Sequence, residues 1–196
     1  MILSWKRYLY LRLGFIIMKT STLMTEKTKS NERDADAPFL INRDGTWLYR
    51  GSPIHRKSLV KLFASILVRE KDGSFWLVTP VERVAVSVAD APFVIVSANR
   101  IGAGPEQILR LQTNIGEELT VGLEHPIYVK TNPATREPSP YVKLNHGLTG
   151  LIARPVFYDL VLWSEQDWDS GECFVRSENQ KFILGQIDND HGLTDA

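Results

Sequence analysis

The chain has 196 residues, 43% of them hydrophobic and 23% charged, a globular composition that suits one large domain or two small ones. Lys and Arg number 23 and so do Asp and Glu, so the formal net charge is zero, which excludes the broad basic surface that DNA or RNA binding requires. Cys173 is the only cysteine, which excludes an intramolecular disulfide and a thiolate-rich zinc site and points to a reducing, cytoplasmic setting.

Residues 1–38 read as a disordered or mis-started extension. Lys6, Arg7 and Arg12 interrupt the apolar residues, so neither a secretory core nor a stable membrane span is expected. From Thr20 to Ala37 the chain turns polar and charged, and Met18 and Met24 are alternative starts.

Order is expected from Phe39. Phe39-Leu40-Ile41 and Trp47-Leu48-Tyr49 flank an Asp44-Gly45 turn and predict a hairpin. Gly51-Ser52-Pro53-Ile54 then predicts a helix entry, with Ser52 as a cap, and Leu59, Leu62 and Phe63 give helical spacing from Arg56 to about Ala64. Ile66–Arg69 and Phe75–Val78 around Asp72-Gly73 predict a second hairpin. Val84, Val86 and Val88 alternate as a strand. The boundary between halves falls near Asp90, giving an N-terminal α+β part over 39–89.

The second part, residues 90–187, is β-rich. Strands are predicted at Pro92–Ala98, Gln107–Gln112, Glu118–Val121, Pro126–Lys130 and Tyr141–Leu144, with a proline-rich loop over Thr131–Pro140. A second helix is predicted from Arg154 to Trp163, and a last hairpin from Cys173–Arg176 and Lys181–Leu184. Asp188–Ala196 reads as a frayed tail.

One phrase recurs at a constant offset. Ile54-His55-Arg56 with Leu59, Val60, Leu62 and Phe63 matches Ile152-Ala153-Arg154 with Phe157, Tyr158, Leu160 and Val161. A repeated amphipathic helix with an Arg near its start predicts two related halves and makes their seam the first place to look for a site.

The candidate residues follow from that seam. Arg56 and Lys57 put cations beside the free N–H groups of a helix start, an arrangement that holds an anion, and Arg154 repeats it. The competing expectation is that Arg56 and Arg154 pair with carboxylates such as Glu82 and Glu124, pinning each helix to its sheet. Glu124-His125-Pro126 carries the residue types of acid–base chemistry, but neighbours on a strand point to opposite faces, so a turn role is the stronger expectation. His146 reads as a turn residue. No phosphate-binding loop, dinucleotide fingerprint, zinc-protease motif or nucleophile elbow occurs, so no catalytic residue, metal or cofactor is expected. Trp47, Phe63, Trp76 and Trp163 read as core aromatics.

Phe39-Leu40-Ile41-Asn42-Arg43-Asp44-Gly45-x-Trp47, Tyr49-Arg50-Gly51-Ser52-Pro53-Ile54 and Thr79-Pro80-Val81-Glu82 together resemble a bacterial family, domain of unknown function 1285. Asp90-Ala91-Pro92-Phe93, Thr113-Asn114, Glu124-His125-Pro126 and Pro140-Tyr141 continue the match to about Leu184. The resemblance implies a two-part α+β core with a duplicated helix-plus-strands motif, its later part pleckstrin-homology-like. It also implies a site for a nucleotide-like ligand at the junction and a link to signalling. The expectation is therefore a non-enzymatic protein binding a small anionic or nucleotide-like ligand through Arg56, Lys57, Glu82, Glu124, His125 and Arg154. The alternative is a protein–protein adaptor using the pleckstrin-like half.

Overall fold

The Asp44-Gly45 turn closes its hairpin as the sequence predicts. Gly45 adopts φ +82°, and the Asp44 carboxylate accepts the Thr46 amide at 2.9 Å, which holds its pKa below the usual carboxylate value. This hairpin opens the computed structural model, which describes residues 37–131 and 137–186. Expectations about the N-terminal extension and the Asp188–Ala196 tail lie outside those residues.

The first part is a six-stranded sheet with one helix. Strands β1 (Phe39–Ile41) and β2 (Trp47–Tyr49) are antiparallel, and β3 (Ser52–Pro53) adds to the edge of β2. Helix α1 (Lys57–Ala64) leads to β4 (Leu67–Arg69), β5 (Phe75–Val78) and β6 (Arg83–Val88). The order is β3-β2-β1-β6-β5-β4, with β1 and β6 parallel. Ser52 and Pro53 are thus a short strand and not the predicted helix cap. Arg50 and Gly51 both take positive φ, as a two-residue hairpin turn requires, and a Pro is tolerated on an edge. The helix entry moves to Arg56, which offers no side-chain cap.

The second part begins at β7 (Phe93–Ile101), followed by β8 (Ile108–Thr113), β9 (Glu118–Thr120), β10 (Ile127–Thr131), β11 (Pro138–Lys143) and β12 (Thr149–Ile152). These form a sheet of order β10-β11-β12-β7-β8-β9, with β12 parallel to β7. Helix α2 (Arg154–Leu162) carries the chain to a small sheet of β13 (Glu165–Asp167), β14 (Glu172–Ser177) and β15 (Gln180–Gln186). Two further strands, besides β3, escape the sequence pattern. β12 holds Gly150 where a Cβ would stand 3.0 Å from Ile95 Cδ1, so the glycine serves close packing and not a turn. β13 is Glu-Gln-Asp, polar throughout, and pairs with β14 without an apolar face of its own.

Two apolar clusters sit inside. The first stacks Trp47 on Phe63 and sets Phe39 edge-on to Phe63 at 5.0 Å between ring centroids. It also contains Phe93, Ile115 and Leu148, which the second part inserts into the first. The second cluster gathers Ile95, Leu109, Leu111, Val121, Val142, Leu160 and Val175 between β7–β12, α2 and the small sheet. Trp47 and Phe63 are core as expected, whereas Trp76 and Trp163 are half-buried, each beneath an arginine, Arg83 and Arg100.

Candidate ligand cleft at the junction

Where the two parts meet, the last turn of α1 and the start of β4 face the β8–β9 connection and the β11–β12 connection. Between them lies a cleft of about 280 Å³. Its first wall is Ala64, Ser65 and Leu67. Its second carries Phe93, Glu117, Glu118, Leu119, His125, Asn145 and His146. His146 reaches it from a left-handed position, φ 58°, within the three-residue 3-10 turn Asn145–Gly147. His125 is held by a 3.1 Å contact between its Nδ1 and the Lys143 carbonyl. An adjoining hollow of about 420 Å³ shares Glu118, Leu119 and His125 and adds Glu124, Glu178 and Gln180.

Three polar contacts set the geometry of the junction. The Tyr141 hydroxyl donates to Asp90 Oδ1 at 2.8 Å, and Arg43 Nε lies 3.1 Å from the other Asp90 oxygen. One carboxylate at the end of the first part therefore ties a turn of that part to a strand of the second. Tyr141 is 6% exposed. Burial first, then the bond to Asp90 and its charge, push its phenol up to about 12, against an opposing effect of Arg43. The third contact is Asn114, whose Nδ2 donates to the Gly45 carbonyl while its Oδ1 accepts the Val94 amide, both at 3.2 Å.

The six residues singled out by sequence do not come together. Arg56 and Lys57 are exposed at the start of α1, whereas the cleft is built from the other end of that helix, at Ala64 and Ser65. Arg56 precedes α1, but Arg154 is the first residue of α2, so the two arginines are one position out of step with the repeated phrase. The expected pinning pairs are replaced by others. Arg56 Nε donates to Ser58 Oγ at 3.2 Å, and Arg154 lies 3.7 Å from Glu137, both side chains largely exposed. Glu82 sits in a tight turn in which its backbone exchanges hydrogen bonds with the Thr79 hydroxyl. Only Glu124 and His125 meet in one hollow, and only His125 also lines the junction cleft.

Sequence reasoning missed Ser65, Glu117, Asn145 and His146 at the cleft and Asp90, Asn114 and Tyr141 at the joints. Asp90, Asn114 and Tyr141 belong to phrases already quoted for the resemblance, and that was their one legible signal. Among the described residues, no group of three or more His, Cys, Asp or Glu side chains is placed to hold a metal, and no helix is long and apolar enough to cross a membrane.

The same division appears in the comparisons. A family model described as the N-terminal domain of DUF1285, a domain of unknown function, matches residues 29–91. The model of the C-terminal domain of DUF1285, a protein of unknown function, matches residues 92–184. The crystal structure of a DUF1285 family protein from Silicibacter pomeroyi DSS-3 is similar at 43% identity and a TM-score of 0.72, over 78% of this chain and 81% of that one. A second, from Shewanella baltica OS155, is 35% identical with a TM-score of 0.51, over 65% of this chain and 92% of that one. No curated protein matches.

Proposed function

The chain belongs to the DUF1285 family, and from that premise we propose that it is a non-enzymatic, cytoplasmic ligand-binding protein whose small ligand lies between its two parts. The observation that carries this reading is the position of the cleft. Both parts supply its walls, so a molecule bound there bridges them and stabilises one relative arrangement. That is the physical requirement for a signalling role, because occupancy alters a geometry that a partner can read.

The ligand is a small anion or a nucleotide-like molecule, its negative group turned away from Glu117 and Glu118, which line the second wall. Lys61 of α1 stands just outside the lining, its Nζ 3.6 Å from where a Cβ on Gly116 would lie, next to Glu117. His146 supplies a ring N–H donor and Ser65 a hydroxyl, while His125, whose Nδ1–H donates to the Lys143 carbonyl, turns its Nε2 to the ligand as an acceptor. A volume of about 280 Å³ suits a nucleoside or a nucleoside monophosphate better than a longer polyphosphate. The halves are read as a duplicated motif and the second as pleckstrin-homology-like, which fits a scaffold that presents a ligand at a seam without performing chemistry on it.

The test is a thermal-shift screen of nucleotides and small anions against the purified protein. A ligand at about a hundred times its Kd adds about 2.7 kcal/mol, a rise in melting temperature of about 5–10 °C for a chain of this size. Ser65→Trp, which fills the cleft from an exposed position, is expected to abolish the shift while melting like the parent. If no compound raises the melting temperature, or Ser65→Trp leaves the shift intact, the cleft is not the site. The adaptor reading is favoured by one separate observation: α2 leaves Tyr158 62% and Leu162 80% exposed on one face. Partner capture that survives Ser65→Trp and is lost in Tyr158→Ala/Leu162→Ala would support it.

A further inference from the structure

Residues 45–69 contain Arg50, Arg56, Lys57, Lys61 and Arg69 and not one Asp or Glu, in a chain whose formal net charge is zero. The imbalance extends to the whole parts. Residues 37–91 hold eight Lys or Arg against five Asp or Glu, and residues 92–184 hold eight against eleven. The structure concentrates this asymmetry at the junction. On α1, Lys57, Lys61 and Ser65 follow one another at four-residue spacing and are all exposed, so they form one stripe on the solvent side of the helix. Arg56 extends the stripe past the helix start. Ser65 ends it at the cleft, and Lys61 reaches across to Gly116. On the far side of the cleft, Glu117, Glu118, Glu124 and Glu178 are exposed around the two adjoining hollows, with Leu123, 78% exposed, among them.

Among the described residues, neither set is neutralised. No carboxylate lies within ion-pairing distance of Arg56, Lys57 or Lys61, and no Lys or Arg pairs with Glu117, Glu118, Glu124 or Glu178. A positive stripe that runs up α1 and ends at the cleft, and a negative rim on the cleft's far side, are self-complementary. A two-fold axis through the cleft sets each stripe on the other copy's rim, and both contacts form at once. We infer that this face docks on a second copy of the chain, Lys57 and Lys61 of each copy opposing Glu118, Glu124 and Glu178 of the other, with Leu123 as the apolar contact. Charge complementarity of this kind sets register and choice of partner more than affinity. The association is therefore weak, reversible and weakened by salt, since the charges are exposed and screened beyond roughly 10 Å at 0.1 M.

The experiment is sedimentation equilibrium of the full chain at low and at high salt, with charge-reversed variants. The wild type is expected to show about twice the monomer mass at low salt and the monomer mass at high salt. Lys57→Glu/Lys61→Glu and Glu124→Lys/Glu178→Lys are each expected to remain monomeric, because each variant carries two patches of one sign. Mixed in equal amounts, the two variants are expected to regain the double mass as a mixed dimer. All four substituted positions are exposed, and circular dichroism with thermal melting confirms that each variant is folded. A wild type that is monomeric at low salt overturns the inference. A dimer indifferent to salt and to charge reversal overturns it too, as does a mixture of the two variants that fails to associate.

Discussion

Tyr141 donates its hydroxyl hydrogen to Asp90 at 2.8 Å across the boundary between the two parts, while Arg43 holds the other oxygen of the same carboxylate. A buried phenol bound to a charged acceptor is worth about 1.5–3 kcal/mol, and its loss leaves a partly buried carboxylate served by Arg43 alone. Tyr141→Phe is therefore expected to lower stability by about 1–3 kcal/mol, a fall in melting temperature of about 2–12 °C for a chain of this size. Asp90→Asn is expected to cost at least as much, because it also removes the Arg43 ion pair. A double-mutant cycle decides the matter: if Tyr141→Phe and Asp90→Asn are additive in denaturant unfolding, the two groups do not act together.

The same contact fixes a pH response. In the folded chain the Tyr141 phenol is pushed up to about 12, from 10.0 for the ordinary side chain, by burial and by Asp90. Below the unfolded value both states keep the proton, and the stabilisation is fully present. Between the unfolded and folded values the unfolded chain releases its proton first, so stability falls as pH rises from about 10 to about 12. Urea midpoints across that window should decline more steeply for the wild type than for Tyr141→Phe. Equal slopes would show that another group governs the alkaline limb.

Asn114 and Gly45 form the second joint. Gly45 has φ +82°, and a Cβ placed there would collide with the Asn114 amide nitrogen. Gly45→Ala thus adds backbone strain to a clash with the group that binds the Gly45 carbonyl, and a loss of about 1–3 kcal/mol is expected. Asn114→Ala removes the clash along with the bond. In the double variant the alanine at position 45 should cost less than in the wild type, and a cost unchanged in thermal melts would place the strain in the turn alone.

Much of the fold was legible because its signals are local. Asp44-Gly45 and Asp72-Gly73 are hairpin turns whose backbone needs dictate their residues, and Phe39–Ile41, Trp47–Tyr49 and Phe75–Val78 bring the apolar residues that strands require. The misses depended on distant partners. Ser52-Pro53 reads as a helix entry until Arg50-Gly51 is seen to turn the chain back on β2, and the need for Gly150 shows only once Ile95 is set against it. No nearest-neighbour pattern carries that information.

The cleft was less legible, again for a spatial reason. The repeated phrase drew attention to the starts of two helices, whereas the junction is built from the opposite end of α1 and from loops of the second part. His146 and Asn145 looked like turn residues and are turn residues. What makes them candidates is that their turn faces Ser65, some eighty positions away in sequence. Asp90, Asn114 and Tyr141 each carry an ordinary polar side chain, and their importance lies in the partner that the fold brings to each.

Ile115 gives the sharpest test of whether the two parts fold as one. It comes from the β8–β9 connection of the second part, is 7% exposed, and packs in the apolar cluster of Phe39, Trp47 and Phe63 that belongs to the first. Truncating a buried Ile to Ala costs about 2–5 kcal/mol through lost contacts and the cavity left behind. Because Ile115 is anchored in one part and buried in the other, Ile115→Ala weakens the coupling between them as well as the total. Trp47 fluorescence reports on the first part and Trp163 fluorescence on the second, and single-tryptophan versions separate them. In the wild-type background their urea transitions are expected to coincide, as a two-state chain demands. In Ile115→Ala the Trp47 transition is expected to move to lower urea ahead of the Trp163 transition. Transitions that shift together by the same amount would show that the joints at Asp90 and Asn114 suffice to hold the parts in one cooperative unit, with Ile115 contributing bulk stability alone.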